Sequence, residues 1–246
     1  MRITRFYCPT LTAELTTEND VFSLPDAVHR HAIQVLRLKQ GDSVRLFDGA
    51  GMEVNAVLES VSKRASTVQI MSQREVDNES PLNITLFQAI SRGDRMDYAI
   101  QKAVELGVRH IIPIATERCN VQLSSGRSEK RWSHWHGVLV SACEQSGRSY
   151  LPAMSDIQTL EEALSKNKLD YAITLDPMAS VGFTSLKKHQ NIGVLIGPEG
   201  GLSDDEIERA NQAGFQSVAL GPRILRTETA TAAVLAILQT IWGDLG

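Results

Sequence analysis

The sequence predicts an α/β protein in two parts, a small β-rich domain followed by a parallel sheet covered by helices. Three observations carry this reading. Between Ser43 and Ser72 three runs alternate apolar and polar residues with a period of two, the mark of half-buried strands. A polar, charged stretch, QREVDNESP from Gln73 to Pro81, then breaks the pattern. Beyond it short apolar runs alternate with segments of helical periodicity, the rhythm of βα units. The expected division is residues 1–72 for the first domain, 73–82 for a linker and 83–246 for the second domain.

RITRFYC reads as a first strand, and Pro25 to Leu38 as a helix with Val28, Ile33 and Leu36 facing inward. SVRLFDG, MEVNAVLESVS and ASTVQIMS follow, separated by Gly49-Ala50-Gly51 and Lys63-Arg64, the turn chemistry of a small barrel. In the second part NITLFQAI is a strand. Asp94 to Leu106 is a helix with Met96, Ile100, Ala103 and Val104 on one face, stopped by Gly107. RHIIPIAT is a strand and Glu129 to Gln145 a helix; LDYAITLD, IGVLIG and QSVALG are further strands. Ligands of such sheets bind beyond the carboxyl ends of the strands, which directs attention to the loops there.

Composition excludes several classes. Cys8, Cys119 and Cys143 form no CxxC pair and have no histidine at metal-ligand spacing, so a zinc site or disulfide framework is not expected. Three scattered thiols suit the cytosol, and the polar start MRITRFYCPTLTAEL lacks the apolar core of a signal peptide. The longest apolar run, Ala232 to Leu238, is too short to span a membrane. The net charge is −4, and residues 1–75 carry nine Lys/Arg against nine Asp/Glu. Composition therefore does not suggest a nucleic-acid binder, and any such contact must come from a local patch.

Two strand-to-helix loops stand out. The first, Gly197-Pro198-Glu199-Gly200-Gly201-Leu202, precedes an S-x-x-E capping box at Ser203 and Glu206, with Gly214 placed to stop the helix. It is neither a G-x-G-x-x-G fingerprint nor a P-loop, and a tight turn alone would account for its glycines. The second, Gly221-Pro222-Arg223-Ile224-Leu225-Arg226-Thr227-Glu228, leads into an alanine-rich helix. Its mixture of charged and apolar residues, with Ile224-Leu225 expected to be buried, fits a pocket wall better than a free surface.

Together IGPEGGLS-x-x-E and LGPRILRTETA resemble the cofactor end of the SPOUT methyltransferases, and specifically the bacterial 16S ribosomal RNA uracil-N3 methyltransferase family. HRHAIQVLRLKQGD and FDGAG resemble that family's PUA-like domain, and SRGDRMDYAIQKAVELGV, PIATERCNV and SACEQSGR its central blocks. Cys119 departs from the pattern, where serine is expected after Glu117-Arg118.

The resemblance implies a SPOUT-type parallel sheet with a C-terminal trefoil knot behind a PUA-like β-barrel. It also implies a homodimer that uses S-adenosylmethionine, needs no metal and acts on 16S ribosomal RNA in the small subunit. Carried onto this chain, the cofactor residues are Leu175, Ile196, Gly197, Pro198, Gly200, Gly201, Leu220, Gly221, Ile224 and Leu225, with Asp176 and Pro177 in the first loop. Uracil N3 carries a proton, so methylation calls for a base and for a cation near the oxygens where charge develops. Arg226 is the expected cation, unless it pairs with Glu228; Glu199 is the expected base, unless it binds backbone amides. Arg2, Arg5, Arg30, Arg37, Arg92, Arg118 and Arg148 are the expected RNA contacts, with Lys39 and Arg95 beside them. A relative acting on a ribose hydroxyl or a transfer RNA guanine, and an RNA-binding assembly factor without catalysis, remain open alternatives.

Overall fold

The computed structural model describes residues 3–14, 21–119, 125–166 and 169–246. Its elements fall into two compact units, Met1–Glu79 with Cys143–Leu151, and Ser80–Ala142 with Pro152–Gly246.

In the first unit β1 (Thr4–Tyr7), a short helix α1 (Leu11–Glu14), β2 (Val21–Ser23) and α2 (Asp26–His29) precede the long strands β3 (Ser43–Phe47), β4 (Met52–Val61) and β5 (Ser66–Glu75). They form one sheet in the order β1-β3-β4-β5-β2. The alternation of the sequence places Phe6, Phe22, Leu46, Leu58 and Ile70 in its core. β5 runs to Glu75, so the first three residues of the expected linker are strand.

The expected helix from Pro25 to Leu38 is largely a different structure. α2 ends at His29, and Arg30–Val35 continues as a π-helical turn in which the Leu36 N–H reaches His31 O at 3.0 Å. Val28 is buried and Ile33 partly so, but Leu36 is 42% exposed rather than inward, because the wider turn rotates it off the core side.

Two expected RNA contacts in this unit are buried ion-pair partners instead. The Arg5 guanidinium, 8% exposed, donates to Glu53 Oε2 at 3.0 Å, to the Cys143 carbonyl at 2.9 Å and to Ser149 Oγ at 3.0 Å. Arg148 is likewise buried and forks onto the Glu79 carboxylate, its Nε at 2.7 Å from Oε1. Neither guanidinium is available to a phosphate. Arg2 lies outside the described residues. The same segment completes the turn after β3, since the Leu151 N–H donates to Gly49 O at 2.9 Å and the Gly51 N–H to Ser149 O at 3.2 Å. Gly49 and Gly51 are needed there: both have positive φ (82° and 105°), and a Cβ on Gly49 would meet the Tyr7 ring at 2.8 Å.

Burial pushes the thiols of Cys8 and Cys143 up to about 12. Alkylation of the native protein at about pH 8 is therefore expected to label Cys119 ahead of both, the order to be read by mass spectrometry. Equal labelling of all three would show that this unit opens readily.

The second unit is a parallel α/β sheet. Its elements are β6 (Asn83–Ala89), α3 (Asp94–Glu105), β7 (His110–Ala115), α4 (Ser125–Ser146, which counts here as far as Ala142), β8 (Ala153–Met154), β9 (Gln158–Thr159), α5 (Leu160–Ser165), β10 (Tyr171–Leu175), β11 (Asn191–Ile196), α6 (Asp204–Gln212), β12 (Phe215–Val218) and α7 (Thr227–Trp242). The strand order is β12-β10-β11-β6-β7-β8, with β9 paired to β7. β10 thus sits between β11 and β12, with Thr174 level with Leu195 and Leu175 level with Val218. The expected apolar face of α3 is buried in full, at Met96, Ile100, Ala103 and Val104. Both bonds of the capping box at α6 form, Ser203 N–H to Glu206 Oε2 at 2.9 Å and Glu206 N–H to Ser203 Oγ at 3.3 Å. Among the described residues no helix is long and apolar enough to cross a membrane.

Candidate active site

Because β10, β11 and β12 are parallel neighbours, the three loops leaving their carboxyl ends lie side by side. They enclose a cavity of about 720 Å³, within the range that small-molecule sites occupy. Leu175, Asp176, Pro177 and Met178 come from the first loop, the Ile196–Leu202 stretch from the second, and Leu220, Gly221 and Arg223–Arg226 from the third. All ten residues expected to hold a cofactor line this one cavity.

The second loop is held in place from several directions. A Cβ on Gly197 would lie 2.9 Å from Leu202 N and 3.1 Å from Gly201 C, so only glycine permits this close pass of the backbone over itself. The Thr227 hydroxyl, at the start of α7, donates to Gly197 O at 2.8 Å. It accepts in turn from Gln88 Nε2 at 3.2 Å, while Thr231 Oγ1 donates to Gln88 Oε1 at 2.7 Å. Gln88, Thr227 and Thr231 are all buried, so this polar chain fixes the carbonyl at the end of β11 against β6 and α7. Sequence reasoning missed this network. Its one visible signal is a glutamine inside the apolar strand NITLFQAI.

Glu199 and Arg118 brace the loop from outside. Glu199 Oε1 accepts from the Arg92 backbone N–H and from the Arg95 guanidinium, each at 2.9 Å. Burial alone would push the Glu199 carboxyl up, but the backbone N–H groups of Arg92 and of Glu199 itself, with Arg95, outweigh it and hold the group below the usual carboxylate range. Its hydrogen bonds to the Arg92 N–H and to Arg95 give Glu199 a bracing role in this loop, the alternative that the sequence also offers for it. Arg118 donates to Gly200 O at 3.1 Å and Leu202 O at 3.2 Å. It is a strut for the cavity wall through Nη1, while the residue itself stays exposed.

The third loop differs from expectation in one respect. Ile224 is 87% exposed, and Met178 across the cavity is 90% exposed; Leu225 is half-buried. Two large apolar side chains at a cavity mouth have no cover among the described residues. Arg226 lines the cavity, is exposed, and has no ion-pair or hydrogen-bond partner for its guanidinium among the described residues. It does not pair with Glu228, whose Oε2 is buried without a hydrogen-bond partner among the described residues. Arg226 also occupies the N-cap position of α7, so its cation adds to the positive end of that helix. Arg92, exposed, offers its guanidinium close in sequence to the Arg95 side of the cavity. Among the described residues no group of three His, Cys, Asp or Glu could hold a metal ion.

Comparison with known proteins agrees with this geometry. Residues 78–239 match the family model described as an RNA methyltransferase domain, and residues 24–71 match an RNA methyltransferase PUA domain. The chain is 36% identical over 232 residues to the ribosomal RNA small subunit methyltransferase E of Buchnera aphidicola subsp. Schizaphis graminum, covering 92% of this chain and 93% of that protein. It is 28% identical over 240 residues to the Bacillus subtilis protein of the same name, covering 93% of each. Among solved structures, it is similar to a methyltransferase of Legionella pneumophila in complex with the cofactor, with a TM-score of 0.95, 37% identity and full coverage of both chains. It is also similar to the Neisseria gonorrhoeae ribosomal RNA small subunit methyltransferase E bound to S-adenosylmethionine, with a TM-score of 0.89 and 41% identity over the whole of both chains. With a matching domain model over most of its length, a PUA domain ahead of it and relatives matched nearly end to end, the chain belongs to the ribosomal RNA small subunit methyltransferase E family of RNA methyltransferases.

Proposed function

We propose that this chain transfers a methyl group from S-adenosylmethionine to N3 of a uracil in 16S ribosomal RNA, on the small ribosomal subunit and in the cytoplasm. The observation that carries the reading is the convergence of all ten expected cofactor residues on one cavity at the ends of β10, β11 and β12. The residues fit the group. Ile196, Leu220 and Leu225 offer apolar walls for a flat ring, and the glycine pass at Gly197–Gly201 opens backbone N–H and C=O groups to its polar edge. When bound, S-adenosylmethionine supplies a methyl group made electrophilic by its sulfonium.

The protein's own part is positioning and charge. Loss of the N3 proton, to solvent, puts negative charge on N3 and the flanking uracil oxygens, and transfer of the methyl group to N3 then neutralises it. Arg226, at the N-cap of α7 and with no guanidinium partner among the described residues, stabilises that charge before transfer. The Gln88–Thr227–Gly197 chain and the Glu199 and Arg118 braces hold the loop still while the two reactants are aligned. The target uridine must leave its stack to enter, and exposed Arg92 is the expected phosphate contact beside this loop.

The trefoil knot and the homodimer implied by the resemblance belong to the same reading. One side of α7 supports a paired subunit, since Ala232, Ala233, Ala236 and Ile237 are only half-buried and Ile241 is 45% exposed.

Calorimetric titration with S-adenosylmethionine tests the cofactor step. One binding event per chain, with Kd in or below the micromolar range, is the expected result. Absence of binding would leave an RNA-binding protein without catalysis.

A further inference from the structure

The ten residues expected to hold the cofactor are glycines, a proline and aliphatic side chains, and none carries a charge. They suit the flat ring of S-adenosylmethionine and leave its other end without a partner. That end is an amino-acid tail, with an ammonium and a carboxylate on one carbon. Both ions lose hydration on entering a cavity, and affinity falls unless opposite charges or hydrogen bonds replace that water.

The cavity wall also holds seven charged side chains, and most are already engaged. Arg95 and Glu199 pair with each other at 2.9 Å. Arg118 donates to the Gly200 and Leu202 carbonyls. Asp176 Oδ1 accepts from the Met178 N–H at 2.8 Å, within its own loop. Arg226 stands at the N-cap of α7, where the proposed reaction uses it. Two remain. Asp204 and Arg223 are exposed cavity residues of opposite charge, and neither side chain has an ion-pair or hydrogen-bond partner among the described residues.

Their places in the fold are set from behind. Asp204 is the first residue of α6, and Ile207 lies three residues on, so the two share a helix face. Ile207 packs against the core cluster that contains Leu202 and Phe215, and it lines the cavity as well. The core thus fixes the rotation of α6 that brings Asp204 to the cavity. Arg223 arrives from the third loop, whose start is held by the Ala219 N–H donating to Val181 O at 2.8 Å. The two charges therefore reach the cavity from different walls.

We propose that Asp204 and Arg223 form the subsite for the amino-acid tail of the cofactor, Asp204 accepting from its ammonium and Arg223 donating to its carboxylate. Charge-assisted bonds to both ends make the cavity select a zwitterionic ligand over a neutral thioether that carries the same ring. The assignment rests on the reading that this cavity binds S-adenosylmethionine, and it adds to the ring contacts the residues that recognise the tail.

Calorimetric titration of the full-length protein with four ligands tests it without turnover. Beside S-adenosylmethionine, S-adenosylhomocysteine keeps the whole tail and lacks the sulfonium. Decarboxylated S-adenosylmethionine keeps the sulfonium and the amine, and 5′-methylthioadenosine has neither sulfonium nor tail. Asp204→Asn is expected to weaken the three tailed ligands about tenfold and to leave methylthioadenosine within about twofold. Arg223→Gln is expected to weaken S-adenosylmethionine and S-adenosylhomocysteine by about the same factor and to spare the two ligands without a carboxylate. Thermal midpoints should stay near wild type, since both side chains are exposed. Parallel losses that include methylthioadenosine would show that the residues only shape the cavity. An Asp204→Asn loss confined to the two sulfonium ligands would assign Asp204 to the sulfonium. Either result overturns the tail subsite, as does unchanged affinity in both variants. Wild-type protein that binds S-adenosylmethionine beside unaffected variants counts against this subsite alone. Wild-type protein that binds none of the four counts against the proposed reaction and removes the subsite with it.

Discussion

Replacing Gly197 by alanine is expected to abolish cofactor binding and lower methyl transfer by about 100-fold or more. The new Cβ would stand 2.9 Å from Leu202 N and 3.1 Å from Gly201 C, both backbone atoms that cannot rotate away. The loop must therefore move, yet it is fixed at Gly197 O by Thr227, at Glu199 by Arg92 and Arg95, and at two carbonyls by Arg118. A displacement propagates into the cavity wall instead of being absorbed. Circular dichroism and a thermal midpoint close to wild type, together with lost titration of S-adenosylmethionine, would locate the defect in the loop. Gly137→Ala on α4 is the matched control. Nothing lies within 4 Å of a Cβ there, and alanine in a helix is expected to be neutral or mildly stabilising. If Gly197→Ala binds the cofactor normally, the close pass of this loop is not what shapes the site.

The second large effect is expected from Arg226→Ala. Removing a single preorganised donor from a developing anion typically costs about 100- to 1,000-fold in kcat, and Arg226 has no other guanidinium partner among the described residues to explain its place. Cofactor affinity should stay within about threefold, since the cofactor walls come from other residues and from backbone. The pH dependence separates this role from a structural one. A cation that eases loss of the N3 proton is most needed when that proton is hard to lose. The variant should recover part of its rate as pH rises and the uracil ionises unaided. A loss of kcat that does not change with pH, or one confined to KM for RNA, would make Arg226 a binding residue.

Much of the second unit was legible in the chain because its signals are local. A capping box reports itself within four residues, and a parallel strand with its following helix shows as a change of period. The cavity was legible for the same reason, since each of its three walls is one contiguous loop. What escaped depends on distant partners. Arg5 and Arg148 look like surface charges in sequence; only the fold brings Glu53 and Glu79 to them and so permits their burial. The π-helical turn after α2 is defined by bonds five residues apart, such as Leu36 N–H to His31 O, and no local pattern in the sequence distinguishes it from an α-helix. The partners that give Glu199 its bracing role sit more than 100 positions away, at Arg92 and Arg95. Ile224 was expected to be buried on apolar character alone, and the chain by itself leaves it open.

The most direct test of the account is transfer of labelled methyl from S-adenosylmethionine to small ribosomal subunits that lack the modification, followed by digestion and nucleoside analysis. Label recovered as 3-methyluridine, and lost with Arg226→Ala, is the expected result. Label recovered as a 2′-O-methyl nucleoside or a methylguanosine, or no label despite bound cofactor, would contradict uracil N3 of 16S ribosomal RNA as the acceptor.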